Sequence, residues 1–279
     1  MQATIQYIES ELAEVYPQSE IRALLRVILE AVCGMSYTEQ VLRKNEVLSE
    51  AHRKSIQTIV SRLKTYEPIQ YILGETEFCG LQLKVNSSVL IPRPETEELV
   101  NFVLEKPIAP GAKIMDIGTG SGCIALALKS ALPAAAVSAL DVSDEALKTA
   151  GENARINQLD ITFIQRDILR WNSQLWPKFD VVVSNPPYVR NSEKELMESN
   201  VLQFEPAGAL FVRDEDPLVF YRQIAAFAQQ YLNDNGWLFF EINEFLGTEM
   251  CTLLKHLAFR DIDLRKDING RDRMIACRK

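Results

Sequence analysis

Lys113-Ile114-Met115-Asp116-Ile117-Gly118-Thr119-Gly120-Ser121-Gly122 couples a short apolar strand to a glycine-rich turn. A helical stretch, Gly122–Leu132, follows at once. Glycines at alternate positions let the backbone turn sharply and approach a ligand, and the helix beyond offers N–H groups with no partner inside it. The spacing is not the dinucleotide fingerprint, since Cys123 stands where the third glycine of G-x-G-x-x-G would fall. The Lys-Ser/Thr of a phosphate loop is also missing. Such a turn suits a ligand with an amino-acid carboxylate and ammonium better than a pyrophosphate. Asp116 is then expected to orient the turn or to receive the ammonium.

Strands and helices alternate outward from this point. The expected strands are Lys113–Ile117, Ala136–Val142, Thr162–Gln165, Phe179–Ser184, Trp237–Ile242, Asp261–Lys266 and Arg273–Cys277. Between them the pattern predicts helices over Gly122–Leu132, Ser143–Asn157, Pro217–Asn233 and Gly247–Leu257. Alternation of this kind specifies an α/β fold with a parallel sheet covered on both faces. Only a short Asn269-Gly270 turn joins the last two strands, so those two pair antiparallel.

The front of the chain has a different period. Ile5, Ile8, Leu12 and Val15 fall at helical spacing before Pro17. Ile21, Leu24, Leu25, Ile28, Leu29 and Val32 form a second stripe, with Ser19 as its expected N-cap and Gly34 as its stop. A short helix is expected around Thr38–Lys44 and a longer one from Ser49. Thr76–Cys79 and Leu81–Val85 flank Gly80 as a hairpin. The division expected is therefore a helical bundle over 1–73, suited to docking a protein substrate, a hairpin linker over 74–93, and an α/β domain over 94–279. At the last boundary, Ile91-Pro92-Arg93-Pro94-Glu95-Thr96-Glu97 makes an extended lead-in to a helix with acids in its first turn. Arg93 and Glu95 are candidates to line a target pocket. The plainer expectation for them is a helix start with a surface Arg–Glu pair.

A second stretch carries the chemistry. Phe179-Asp180-Val181-Val182-Val183-Ser184 reads as a buried strand, and Asn185-Pro186-Pro187-Tyr188 ends it in a stiff corner. Each proline holds the residue before it extended. The corner offers a side-chain carbonyl on Asn185, backbone carbonyls, and the aromatic face of Tyr188, which together suit a planar amino group. Asp141 ends the second strand, with Val142 beside it, where an acid can accept from both ribose hydroxyls. Asp167 ends the third, placed for an exocyclic adenine amine, with the Ile168 N–H facing a ring nitrogen. Any one of these acids alone is a strand-end turn residue. Three at successive strand ends, beside the glycine-rich turn and the Asn-Pro-Pro-Tyr corner, point to S-adenosylmethionine.

Composition narrows the classes. The chain has 279 residues, a net charge of −8 and 47% hydrophobic residues, an ordinary globular balance. A protein that neutralises many phosphates is usually basic, so duplex DNA is a poor candidate substrate. Five cysteines without C-x-x-C spacing and two distant histidines give no metal site, so none is expected. No signal peptide or membrane span is apparent, and a reduced cytoplasmic setting is expected.

At these residues the chain resembles class I S-adenosylmethionine-dependent methyltransferases of the amino-methylating kind. The segments Glu67-Pro68-Ile69-Gln70-Tyr71-Ile72-Leu73-Gly74, Phe78 and Ile91–Glu97 resemble more narrowly the peptide chain release factor N5-glutamine methyltransferase family. The resemblance implies a seven-stranded Rossmann-like sheet with a small all-helical N-terminal domain. It implies cofactor contacts from Asp116, Gly118, Thr119, Gly120, Ser121, Gly122, Asp141, Val142, Asp167, Ile168 and Asn185. Asn185, Pro186 and Tyr188 would be catalytic, and Pro187, Arg93 and Glu95 would join them against the substrate. It further implies release factors as protein partners, with the glutamine of a Gly-Gly-Gln tripeptide as target, and no direct nucleic-acid substrate. A monomer is expected. Two other readings stay open here: an adenine-N6 methyltransferase acting on RNA or DNA, whose exocyclic amine asks for the same acceptors, and a non-catalytic S-adenosylmethionine-binding scaffold.

Overall fold

The computed structural model describes every residue except Lys44. The chain separates into two compact units, one of Met1–Gly74 with Glu198–Phe204 and one of Glu75–Met197 with Glu205–Lys279.

The smaller unit is helical, with helices Gln2–Leu12, Gln18–Cys33, Tyr37–Leu42, Glu50–Leu63 and Ile69–Leu73. Their apolar stripes meet in a core that includes Ile8, Leu12, Ile28, Leu29, Ile56 and Leu63. Gly34 closes the second helix in the left-handed conformation, and its N–H reaches the Glu30 carbonyl. The cap expected at Ser19 is not used: extended Pro17 precedes the helix, and Ser19 lies inside the first turn. Ser36 forms a capping box with Glu39. The helix expected around Thr38–Lys44 runs Tyr37–Leu42, and the Lys44 end of that expectation lies outside the described residues. Ser49 caps the fourth helix by accepting from the His52 N–H. The segment Ser199–Phe204 is a helix of this unit that the periodicity did not mark.

The larger unit holds the strands, which are β1 (Glu75–Phe78), β2 (Leu81–Lys84), β3 (Lys113–Ile117), β4 (Ala136–Asp141), β5 (Thr162–Gln165), β6 (Phe179–Ser184), β7 (Val189–Arg190), β8 (Phe211–Val212), β9 (Leu232–Glu241), β10 (Arg260–Lys266) and β11 (Asp272–Arg278). Seven form one sheet in the order β10-β11-β9-β6-β3-β4-β5. The pairs β9–β6, β6–β3, β3–β4 and β4–β5 are parallel, whereas β11 runs antiparallel to both β9 and β10. The chain order reverses between β3 and β6, and open α/β sheets bind ligands beyond the strand ends at such a point.

Alternation along β6 shows why the sheet is covered twice. Val182 packs with Tyr221, Ile224 and Phe227 from helix Val219–Tyr231, while Val181 and Val183 pack with Leu99 and Phe102 of helix Pro94–Leu104. Each fully buried side chain of this size contributes roughly 1.5–3 kcal/mol relative to exposure.

Two expectations shift. The hairpin β1–β2, expected as a linker, is part of the larger unit: Phe78 and Leu83 enter its core, and Lys84 exchanges backbone hydrogen bonds with the Asn153 side chain at 2.6 and 3.0 Å. The strand expected from Trp237 begins at Leu232 instead, because a bulge carries the ladder through Asn233–Gly236. Gly236 permits it, since a Cβ there would stand 2.9 Å from the Asn233 carbonyl oxygen and 3.1 Å from that of Asp180.

Candidate active site

The turn after β3 is anchored from below. The N–H groups of Gly118 and Thr119 both donate to the Leu140 carbonyl, at 2.8 and 3.0 Å. Gly118, Gly120 and Gly122 all adopt positive φ. Gly122 is further restricted, because a Cβ would sit 3.1 Å from that of Ala150.

Asp116 lies wholly buried beneath the turn. Its Oδ2 accepts from the Thr119 hydroxyl at 2.6 Å, while Oδ1 has no donor. Burial pushes its carboxyl up to about 7, against the opposing effects of the Thr119 hydroxyl and the Ala125 backbone N–H. Ser121 Oγ is a second buried polar atom without a partner. Asp141, at the end of β4, accepts from the Gly120 and Ser143 N–H groups, both at 2.9 Å. A carboxylate has about four acceptor positions, so two remain for other donors. Asp167 accepts from the Leu169 N–H at 2.9 Å and opens the 3-10 turn Ile168–Ser173. Ile168 is buried there, and Val142 is exposed beside Asp141.

The corner after β6 stands beside this turn. Ser184 donates from its buried hydroxyl to the Ile117 carbonyl at 2.6 Å, tying the two strand ends together. A Cβ on Gly118 would lie 3.9 Å from the Asn185 carbonyl oxygen, so the glycine turn and the corner face each other closely. Asn185 Nδ2 donates to Thr96 Oγ1 at 3.4 Å. That hydroxyl donates in turn to Glu241 Oε2 at 2.7 Å. The Tyr188 hydroxyl donates to Glu241 Oε1 at 3.0 Å, and Arg273 Nη1 donates to the Tyr188 oxygen at 3.4 Å. Asn243 Nδ2 holds the Tyr188 carbonyl at 3.1 Å. Asn185 Oδ1 and the Pro186 carbonyl accept from no donor among the described residues. The corner therefore holds two open acceptors, Asn185 Oδ1 and the Pro186 carbonyl.

Arg93 and Glu95 have partners other than each other. The guanidinium of Arg93 pairs with the buried carboxylate of Glu205, which also accepts from the Ile91 N–H at 3.2 Å. Glu95 accepts from Asn269 Nδ2 at 3.2 Å, and Glu97 from the Cys79 N–H at 2.6 Å. Arg93 precedes Pro94, the first residue of the helix, so the lead-in is built as expected. The local Arg–Glu surface pair is replaced by a long-range one.

Sequence reasoning missed Thr96, Glu205, Glu241, Asn243 and Arg273. Glu241 did leave a signal, as an acid set inside the apolar run Trp237-Leu238-Phe239-Phe240-Glu241-Ile242. Glu205 left none, because only tertiary folding brings it to Arg93.

Among the described residues, no helix is long and apolar enough to cross a membrane. The model of the methyltransferase small domain matches residues 96–266, and that of the PrmC N-terminal domain matches residues 3–74. The chain is 47% identical over 274 residues to a release factor glutamine methyltransferase of Flavobacterium psychrophilum, covering 97% of this chain and 95% of that one. A protein of the same name from Bacteroides thetaiotaomicron is 42% identical, covering 98% of each chain. Among solved structures, a methyltransferase from Pyrococcus furiosus superposes with a TM-score of 0.53 at 17% identity, over 72% of this chain and 89% of that one, a likeness of fold. The chain belongs to the release factor glutamine methyltransferase family.

Proposed function

We propose that this protein transfers a methyl group from S-adenosylmethionine to the side-chain amide nitrogen (N5) of the glutamine in the Gly-Gly-Gln motif of peptide chain release factors. One observation carries the reading of the site: Asn185 donates an N–H to Thr96, which leaves its Oδ1 open, as is the carbonyl of Pro186 next in the chain. A carboxamide NH2 has two donors, and these two acceptors match it.

The turn below suits the cofactor. Asp116 Oδ1 lacks a donor and would receive the ammonium of the methionine part, and Asp141 has capacity for the ribose hydroxyls. Ser121 Oγ, also unpartnered, can donate to a carboxylate. Asp167 and the Ile168 N–H would hold the adenine edge. When bound, S-adenosylmethionine supplies an electrophilic methyl group on a positively charged sulfur.

An amide nitrogen is a weak nucleophile because its lone pair is delocalised into the carbonyl. Accepting both N–H bonds, Asn185 and Pro186 fix that nitrogen and favour loss of its planarity as the new N–C bond forms. Pro187 keeps the corner stiff, and the Tyr188 ring lies against the amide plane. Positioning of this kind can account for roughly 7–11 kcal/mol of barrier lowering in well-oriented systems. Glu241 has both oxygens engaged by Thr96 and Tyr188 and does not act as a base. The proton released from nitrogen leaves to water.

Net charge of −8 supports a protein target over a nucleic acid, and scattered unpaired cysteines support a cytoplasmic setting. The chain is proposed to act as a monomer. Mass spectrometry of a release factor incubated with the protein and S-adenosylmethionine tests the reading. One methyl on the Gly-Gly-Gln glutamine is expected, and an unmodified glutamine beside methylated bulk RNA overturns it.

A further inference from the structure

Asn185 can serve the substrate only if its amide points the right way, and the corner alone does not set that direction. Oxygen and nitrogen of a carboxamide have nearly the same shape, so packing cannot distinguish them. What can distinguish them is the polarity of a neighbour. The neighbour here is Thr96, 2% exposed, on the first turn of helix Pro94–Leu104, with its hydroxyl 3.4 Å from Asn185 Nδ2.

A hydroxyl has one proton. If Thr96 gives it to Glu241 Oε2, 2.7 Å away, the oxygen of Thr96 can only accept from Asn185. Asn185 must then turn its NH2 toward Thr96 and its Oδ1 toward the open site. If instead Glu241 carries a proton on Oε2, that proton points at Thr96. The Thr96 proton then points at Asn185, and the amide is stable when flipped. A flipped Asn185 presents NH2 to the substrate NH2, and two donors face each other.

The donors around Glu241 and the charge of Arg273 favour the ionised form. Arg273 has donors only, and Nη1 lies 3.4 Å from the Tyr188 oxygen, so the Tyr188 proton is directed to Glu241 Oε1 at 3.0 Å. Arg273 is itself held by Asp267 at 3.1 Å and by the Ile242 carbonyl at 3.2 Å. We propose that Glu241 is a positioning residue whose negative charge, relayed through the Thr96 hydroxyl, sets the amide orientation of Asn185, while its other oxygen seats Tyr188. The proposal rests on the reading of Asn185 as the holder of the substrate amide.

Burial raises the Glu241 carboxyl above its ordinary range, against the Thr96 and Tyr188 hydrogen bonds and the charge of Arg273. Glu95 on the same helix as Thr96 raises it slightly further. Tyr221 donates to the Glu241 backbone carbonyl at 3.2 Å, and Cys123 feels the carboxylate's charge. Both stay protonated, because burial pushes Tyr221 well up and Cys123 up to about 12. Of Glu241, Tyr221 and Cys123, Glu241 is thus the one that gains a proton as pH falls from neutral. The relay should reverse at a pH above the usual carboxylate range.

The test uses the full-length protein, a release factor and single-turnover methyl transfer, with Glu241→Gln, Thr96→Val and Thr96→Ser. The amide of Glu241→Gln can donate to Thr96 and so reverses the relay without changing shape. Its rate should fall on the order of 100-fold, while affinity for S-adenosylhomocysteine stays within about twofold of wild type. Thr96→Val should lose at least about tenfold, Thr96→Ser should restore the rate to within about threefold, and the double variant should be no worse than the weaker single one. With S-adenosylmethionine saturating at every pH, so that binding through Asp116 does not limit, the wild-type rate should drop on the acid side and Glu241→Gln should lack that limb. If Glu241→Gln does not fold, the Thr96 pair decides. A Glu241→Gln or Thr96→Val protein within threefold of wild type overturns the relay, as does a serine variant as damaged as the valine one. If Asn185→Ala is inactive and these variants are not, only the relay fails. A wild-type protein that leaves the release factor unmodified sinks the proposed function itself.

Discussion

Replacing Asp116 by Asn should change how the stability of the larger unit responds to pH. The Asp116 carboxyl is wholly buried, and burial raises it from 3.8 to about 7. In the unfolded chain it titrates near 3.9. Between about pH 4 and pH 7 the folded protein therefore binds a proton that the unfolded chain has released. Stability falls as pH rises through this window, and the contribution is flat below and above it. At about 1.36 kcal/mol per pH unit, the rise corresponds to on the order of 4 kcal/mol. Asn cannot ionise, so the variant lacks this decline. Its stability relative to wild type should increase by up to about 4 kcal/mol between pH 4 and pH 8. Any constant cost of seating the new NH2 cancels in that comparison. Trp171, Trp176 and Trp237 all lie in the larger unit, so urea unfolding followed by tryptophan fluorescence reads it without the helical unit. Binding adds a second signature: a cation brought beside Asp116 favours the carboxylate, so wild type should release about half a proton with S-adenosylhomocysteine at pH 7 and close to one near pH 6, and the variant none. Parallel stability profiles across the window, together with equal proton release, would mean that burial does not raise the Asp116 carboxyl.

Other consequences are simpler to read. Asp141→Ala removes a carboxylate that holds two turn amides and has capacity left for ribose hydroxyls. Calorimetry should find cofactor affinity lowered at least about tenfold, or about 1.4 kcal/mol, and unchanged affinity counts against the ribose role. Arg93→Ala leaves the buried Glu205 carboxylate without its cation. A stability loss of about 2 kcal/mol is expected, below the range for a fully buried pair because Arg93 is partly exposed. If KM for the release factor is unchanged in that variant, Arg93 is structural; a raised KM at unchanged kcat marks a substrate contact.

Local patterns made the sheet and the turn legible. The run from Lys113 to Gly122 and the run from Phe179 to Tyr188 each state a strand end and its special backbone in consecutive residues. The seven strands and the antiparallel last pair follow from alternation and from the short Asn269-Gly270 turn. Boundaries failed where tertiary contacts decide them. The bulge at Gly236 depends on the neighbouring Asp180 carbonyl; Ser19 instead lost its cap role locally, to the extended Pro17 two residues before it. The acceptors on Asn185 and Pro186 were readable because one motif contains them. Thr96, Glu241 and Arg273 were not, because they lie on a helix and two strands that only folding brings together. A chain of hydrogen bonds between them has no sequence period.

On the proposed function, an outward-facing carbonyl on Asn185 holds the glutamine amide for transfer. Single-turnover methylation of a release factor by Asn185→Ala, with S-adenosylhomocysteine affinity measured alongside, tests it most directly. A rate lowered on the order of 100-fold or more is expected, with cofactor affinity largely kept. A near-normal rate in that variant would contradict it.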